Sequence, residues 1–221
     1  MPVTVREVAA EAARAVRAGA RELHVHPKDG DGRDSLAPEV VGAFVSAVRA
    51  AVPSGVRVGV TTGAWAAPEV DDRLAVIGGW RVLPDYASVN WHEDGAEEVA
   101  AALLDLGVGV EAGVWSGTDG AQRFSGSGLV GRVLRVLAEV VDTDPATAAD
   151  TADELLAQLP GGVSVLLHGE DGGAWPVLEH AGRLGLDTRI GLEDTLLLPD
   201  GTRADGNAAL VGAALSVPGV S

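Results

Sequence analysis

At 221 residues, 47% of them hydrophobic and 22% charged, the chain is long enough to bury one large core, and a single domain spanning residues 1–221 is expected. Its 16 basic and 32 acidic residues give a net charge of −16, which repels nucleic acids and anionic membranes and leaves any anionic substrate to a few local cations. The absence of cysteine excludes disulfides, thiolate metal sites, iron–sulfur clusters and thiol nucleophiles, so any metal must be held by His and carboxylate.

Met1-Pro2-Val3-Thr4 leads into an Arg- and Glu-bearing segment without the basic-then-apolar order of a signal peptide, and no apolar run reaches transmembrane length. The expected location is therefore the cytoplasm. Thr4 with Glu7 fits a capping box, and Val5, Val8, Ala9, Ala12 and Val16 follow at helical spacing, which predicts a helix from about 4 to 18 closed by Gly19. Glu22-Leu23-His24-Val25-His26 alternates as a strand and ends in the turn-rich Lys28-Asp29-Gly30-Asp31-Gly32. The same grammar repeats, with helix 38–51, strand 56–61, helix 68–78, strand 86–90, helix 94–105 and strand 108–114. A looser segment and strand 133–141 follow, and Asp144-Pro145 opens a helix to about 158. Strand 163–168, helix 174–183, strand 188–192 and helix 205–215 complete seven strands.

Strict alternation with short connections implies an α/β fold with parallel strands and right-handed crossovers. Strands of an open, doubly covered sheet read as continuous apolar runs. Here Leu23 and Val25 oppose His24 and His26, Ala87 and Val89 oppose Ser88 and Asn90, and Val110 and Ala112 oppose Gly109 and Glu111. Polar groups converging on one side near strand C-termini are what a TIM (β/α) barrel requires, here with seven strands and a helix where the first strand should come.

His24 and His26 share one side of a strand near its C-terminal end, where they can share a metal or simply hydrogen-bond in a polar barrel mouth. In Arg189-Ile190-Gly191-Leu192-Glu193-Asp194 the first, third and fifth residues share the inward parity, so Glu193 can complete a His, His, carboxylate site with open positions. Alone, Glu193-Asp194 is an ordinary helix N-terminal carboxylate pair, but Arg189 at inward parity weakens that reading. Glu111, Thr61, Ser88, Asn90 and His168 stand at or near the ends of other strands. Glu111 reads as a functional residue or as a salt-bridge partner of Arg189, and His168 as a further ligand, a base or a supporting group. Thr61, Ser88 and Asn90 are weaker, because small polar residues commonly line barrel mouths as satisfied hydrogen-bonders. The five tryptophans read as packing and pocket wall. No Gly-x-x-x-x-Gly-Lys phosphate loop and no Gly-x-Ser-x-Gly elbow is present.

Taken in order, Pro2-Val3-Thr4, Ala18-Gly19-Ala20, His24-Val25-His26, Thr61-Thr62-Gly63, Ser88-Val89-Asn90, Glu111 and Arg189 through Asp194 resemble the β-keto acid cleavage enzymes over nearly the whole chain. The resemblance implies a TIM barrel, a zinc ion on His24, His26 and Glu193, and condensation of a β-keto acid with acetyl-CoA to give acetoacetate and a new CoA thioester. It also implies that Arg189 holds the substrate carboxylate, that Asp194 works with Arg189 in deprotonation, and that Thr61, Ser88, Asn90 and Glu111 line the pocket. Family members are generally oligomers, so a homo-oligomer is expected. The family's strand and loop ahead of Pro-Val-Thr, which in the type enzyme carries an acidic contact to the substrate amino group, are expected to have no counterpart here, and Pro27-Lys28-Asp29 replaces the usual Arg after the His-x-His strand. A substrate without a terminal amine is therefore expected. The competing expectations are a metal-dependent hydrolase of the amidohydrolase type, using His24, His26, Glu111, His168 and Asp194, and an inactive relative kept for binding.

Overall fold

The computed structural model describes residues 1–220. Among them, seven strands alternate with eight α-helices in the order α1 (Val5–Ala18), β1 (Glu22–Val25), α2 (Pro38–Ala51), β2 (Arg57–Thr61), α3 (Val70–Gly78), β3 (Tyr86–Asn90), α4 (Ala96–Asp105) and β4 (Gly109–Trp115). They continue with α5 (Gly120–Gly126), β5 (Arg135–Val140), α6 (Ala148–Leu156), β6 (Val165–Gly169), α7 (Ala174–Leu184), β7 (Asp187–Thr188) and α8 (Asn207–Ala214). The first helix begins where its sequence places it: Thr4 Oγ1 accepts the Glu7 N–H at 3.3 Å, Glu7 Oε2 accepts the Thr4 N–H at 2.9 Å, and Gly19 closes the helix at φ 119°.

The strands are parallel and lie in sequence order from β1 to β7, each joined to the next by a helix, and the sheet curls into a half-barrel that forms a partial TIM barrel. Alternation sorts the side chains. Val58, Val60, Ala87, Val110, Ala112, Val114, Val136, Ala138 and Leu167 are sealed beneath the helices against Phe44, Val45, Leu103, Phe124 and Val177. The opposite parity carries Thr61, Ser88, Asn90, Glu111, Arg135 and His168, all buried and all facing the barrel interior. Tyr86 crosses that interior to donate from its hydroxyl to the Leu23 carbonyl at 2.9 Å. Its ring lies where a Cβ at residue 59 would stand, 2.1 Å from the nearest ring carbon, so Gly59 is required there.

Among the described residues β1 pairs only with β2 and β7 only with β6, so the sheet keeps two open edges. Those edges approach each other: α1 packs against both α2 and α8, and a cavity of about 550 Å³ lies between β1, α1 and residues 189–196. No helix among the described residues is long and apolar enough to cross a membrane.

Three local expectations differ from the structure. The looser segment before β5 contains a helix, α5. The helix expected from Asp144 begins at Ala148, because Asp142 and Asp144 first turn the chain by accepting N–H groups two residues on. The last strand ends at Thr188 and not at residue 192: the Leu192 N–H goes to Asn207 Oδ1 at 2.8 Å, and Asp194 and Thr195 both donate to the Gly191 carbonyl at 3.0 Å. Arg189 thus reaches the interior from the residue just after β7, and Glu193 from the turn that follows.

Candidate metal centre

His24 is the next-to-last residue of β1 and points into the barrel, and His26 follows one residue beyond the strand's last pair. Their imidazoles stand edge to face with centroids 5.2 Å apart. Glu193 arrives from the turn after β7, its Oε1 lying 3.1 Å from His26 Nε2. One ligand atom from each of His24, His26 and Glu193 lies within 4.8 Å of the others, a set that can hold one metal ion. The donor chemistry fits. His24 Nδ1 is buried and has no hydrogen-bond partner, and burial, aided by the nearby Arg189 charge, pushes its pKa well below the usual imidazole value, which leaves a neutral ring with one lone pair to give. Burial alone would raise the Glu193 pKa, but Arg189 and His26 hold it well below the usual carboxylate range.

The second histidine is held from behind. His26 Nδ1–H donates to Asp34 Oδ2 at 2.9 Å, which turns Nε2 towards Glu193. Burial would lower the His26 pKa, but the Asp34 and Glu193 carboxylates more than offset it and raise the value to about 9.

Arg189 lies across the floor of the site. It donates to Asp194 Oδ1 at 3.2 Å and stands 3.2 Å from Glu193 Oε1, while its Nε is buried without a partner. Asp194 Oδ1 also lies 3.1 Å from His168 Nδ1, whose other nitrogen lies 3.4 Å from Glu139 Oε2. His168 is therefore placed between two carboxylates and outside the metal-type triad. Burial and the Arg189 charge would lower its pKa, yet Asp194 and Glu139 raise it to about 9.

The triad opens onto a cavity of about 180 Å³ lined by Thr61, Ser88, Asn90, Arg189 and Asp194 together with Trp65, Trp115, Glu139 and Glu170. The structure thus gathers eight of the nine residues singled out as substrate-binding, catalytic or metal-ligating. Glu111 is the exception in position. Its Oε1 accepts from Arg135 Nε at 2.7 Å, Arg135 reaches Glu22 Oε2 at 2.8 Å, and Glu111 does not line the cavity. Its partner is Arg135 and not Arg189. Sequence reasoning missed Asp34, Glu139 and Glu170. The inward parity of Glu139, two residues after Leu137 at the end of its strand, could have found that one, whereas Asp34 and Glu170 lie in loops, where no periodicity marks them.

A curled parallel sheet that collects two imidazoles and a carboxylate at the C-terminal ends of its strands defines a barrel protein with a metal-type site at the active end. Comparison with known proteins is more specific. The model of the beta-keto acid cleavage enzyme family matches residues 1–217, and the chain belongs to that family. A solved structure, an L-Ala-D/L-Glu epimerase, is similar at 16% identity and a TM-score of 0.43, with 99% of this chain covered. The chain spans 52% of that structure's length.

Proposed function

We propose that the protein is a zinc-dependent enzyme that condenses a β-keto acid with acetyl-CoA, releasing acetoacetate and the CoA thioester of the remaining acyl group. The observation that supports it is the convergence of His24, His26 and Glu193 with Arg189 and Asp194 on one small cavity, in a member of this family. In the net reaction the C2–C3 bond of the keto acid is broken. C2 with its carboxylate leaves bonded to the acetyl group, and the acyl group passes to the CoA sulfur, so atoms and charge balance.

Held by His24, His26 and Glu193, a zinc ion would supply Lewis-acid polarisation of the keto group. Arg189, a buried cation in a chain of net charge −16, grips the substrate carboxylate. Asp194, already oriented by Arg189 and His168, takes the C2 proton, and Thr61, Ser88 and Asn90 orient the bound acid. The partners of this reading are the keto acid, acetyl-CoA and further copies of the same chain, since two open sheet edges favour burial in an oligomer. The expected location is the cytoplasm.

Elemental analysis and a panel of β-keto acids assayed with and without acetyl-CoA test the reading together. One zinc per chain and strict dependence on an acyl-CoA are expected. Full-rate turnover without CoA would transfer the chain to the metal-dependent hydrolases.

A further inference from the structure

Asp34 lies in the loop between β1 and α2, outside every periodic element, yet its side chain holds three partners beside the site. Oδ2 accepts from two rings at once: His26 Nδ1–H at 2.9 Å and Trp65 Nε1–H at 2.8 Å. Oδ1 binds the Lys28 ammonium. The two rings lie nearly parallel, 11° apart with centroids separated by 6.1 Å. Trp65 is 50% exposed, an unusual state for an indole that also lines a cavity. It lies flush over Gly63, where an added Cβ would stand 2.2 Å from the ring, so the sequence keeps that floor clear.

An imidazole with Nδ1–H committed to a carboxylate has a single lone pair left, on Nε2. A carboxylate so placed fixes both ring orientation and tautomer, and it raises the donor strength of the free nitrogen. An exposed tryptophan tethered to the same oxygen loses its rotameric freedom and becomes a fixed wall. We propose that Asp34 is a positioning residue: its Oδ2 aims His26 Nε2 at the metal position and, through the same atom, locks the Trp65 indole as the wall of the substrate cavity. The proposal rests on the reading of His24, His26 and Glu193 as metal ligands.

Zinc affinity of the metal-stripped protein, measured by competition with a chelator, reads the first half. Hydrogen exchange of the Trp65 indole N–H, assigned by comparison with W65F, reads the second without any metal. Asp34→Ala should weaken zinc binding about 10- to 100-fold, the range for loss of a group that orients a ligand. Asp34→Asn, whose amide oxygen still accepts from Nδ1–H, should fall between wild type and Asp34→Ala. Lys28→Met removes the ion pair but neither ring contact and should leave zinc affinity within about threefold of wild type, the scale of a partly exposed salt bridge. Indole exchange should accelerate in Asp34→Ala and remain slow in Lys28→Met. Equal losses in Lys28→Met and Asp34→Ala would assign the effect to loop folding and overturn the positioning role, as would unchanged affinity in Asp34→Ala. A wild-type protein that binds no zinc would defeat the metal reading and the His26 half with it, and indole exchange would then decide the Trp65 half alone.

Discussion

Glu111→Gln separates a structural carboxylate from a catalytic one. Glu111 is 1% exposed and Arg135 is 6% exposed, and they meet at 2.7 Å inside the barrel, with the guanidinium also lying 5.3 Å from the centre of the Tyr86 ring. Removing one partner of a buried ion pair costs about 3–5 kcal/mol, because the other charge is left without compensation. Here Glu22 still reaches Arg135 and the glutamine still offers an acceptor oxygen, so the cost should fall to about 2–3 kcal/mol. For a domain of this size that is a drop in Tm of about 5–10 °C. Urea unfolding should show a lower midpoint at unchanged slope, and the double replacement Glu111→Leu with Arg135→Met should recover much of the loss, since buried pairs are frequently replaceable by apolar groups. Folded Glu111→Gln should keep kcat within about tenfold of wild type, as a group outside the cavity affects chemistry only through positioning. Wild-type stability combined with a loss of kcat beyond about a thousandfold, the scale of a lost transition-state contact, would refute this reasoning and return Glu111 to the catalytic group.

Three further outcomes are expected. His24→Ala and His26→Ala should each lose bound zinc by elemental analysis while far-ultraviolet circular dichroism stays unchanged, and stoichiometric zinc in the double variant would sink the ligand assignment. Arg189→Lys should lower kcat/KM about 10- to 100-fold, the value of one or two hydrogen bonds to charged groups, because Nη2 alone already meets Glu193 and Asp194 and a point charge cannot add the planar grip on a substrate carboxylate that the rest of the guanidinium offers. In metal-stripped protein His168 has its pKa raised to about 9 between Asp194 and Glu139, against 6.5 when unfolded. Its stabilising contribution, about 3 kcal/mol at about 1.4 kcal/mol per pH unit, should be fully present below pH 6.5 and vanish as pH rises through 9. A pH–stability curve of His168→Gln as steep as wild type across that window would contradict this.

The parts of the fold legible in the sequence were those governed by chain-local physics. The capping box at Thr4 and Glu7, the left-handed Gly19 and the two-residue alternation of β1, β3 and β4 each follow from a residue and its near neighbours. The same alternation placed His24, Thr61, Ser88 and Asn90 on one inner face, and the cavity gathers them. Lateral relations were not legible. Glu111 meets Arg135 because β4 and β5 pair in the register that sets those two residues side by side, and nothing within either segment states that register. The end of β7 depends on Asn207, 15 residues downstream, capturing the Leu192 N–H. Asp34 belongs to a loop whose path is set by hydrogen bonds such as Asp29 to Arg33 and Ser35 to Pro27, so its place behind His26 emerges only when the loop is closed.

The site therefore depends on the curvature of the whole sheet. His24 and His26 come from one edge and Glu193, Arg189 and Asp194 from the segment after the other, with five strands between. Among the described residues no strand-to-strand hydrogen bond joins those edges. Contact there is made by side chains, His26 to Glu193 at the mouth and Glu11 to the Asn207 N–H at 2.6 Å behind it. Such contacts involve few residues and leave a cavity of about 550 Å³ alongside, so they hold the edges less firmly than a strand ladder would. A metal on His24, His26 and Glu193 would add bonds across the gap where the backbone makes none. Binding and edge closure would then be one equilibrium, with ligand affinity lowered by the free energy needed to bring the edges together and edge stability raised by the same amount. The tether of His26 by Asp34 reduces that cost by fixing one ligand before the other edge arrives.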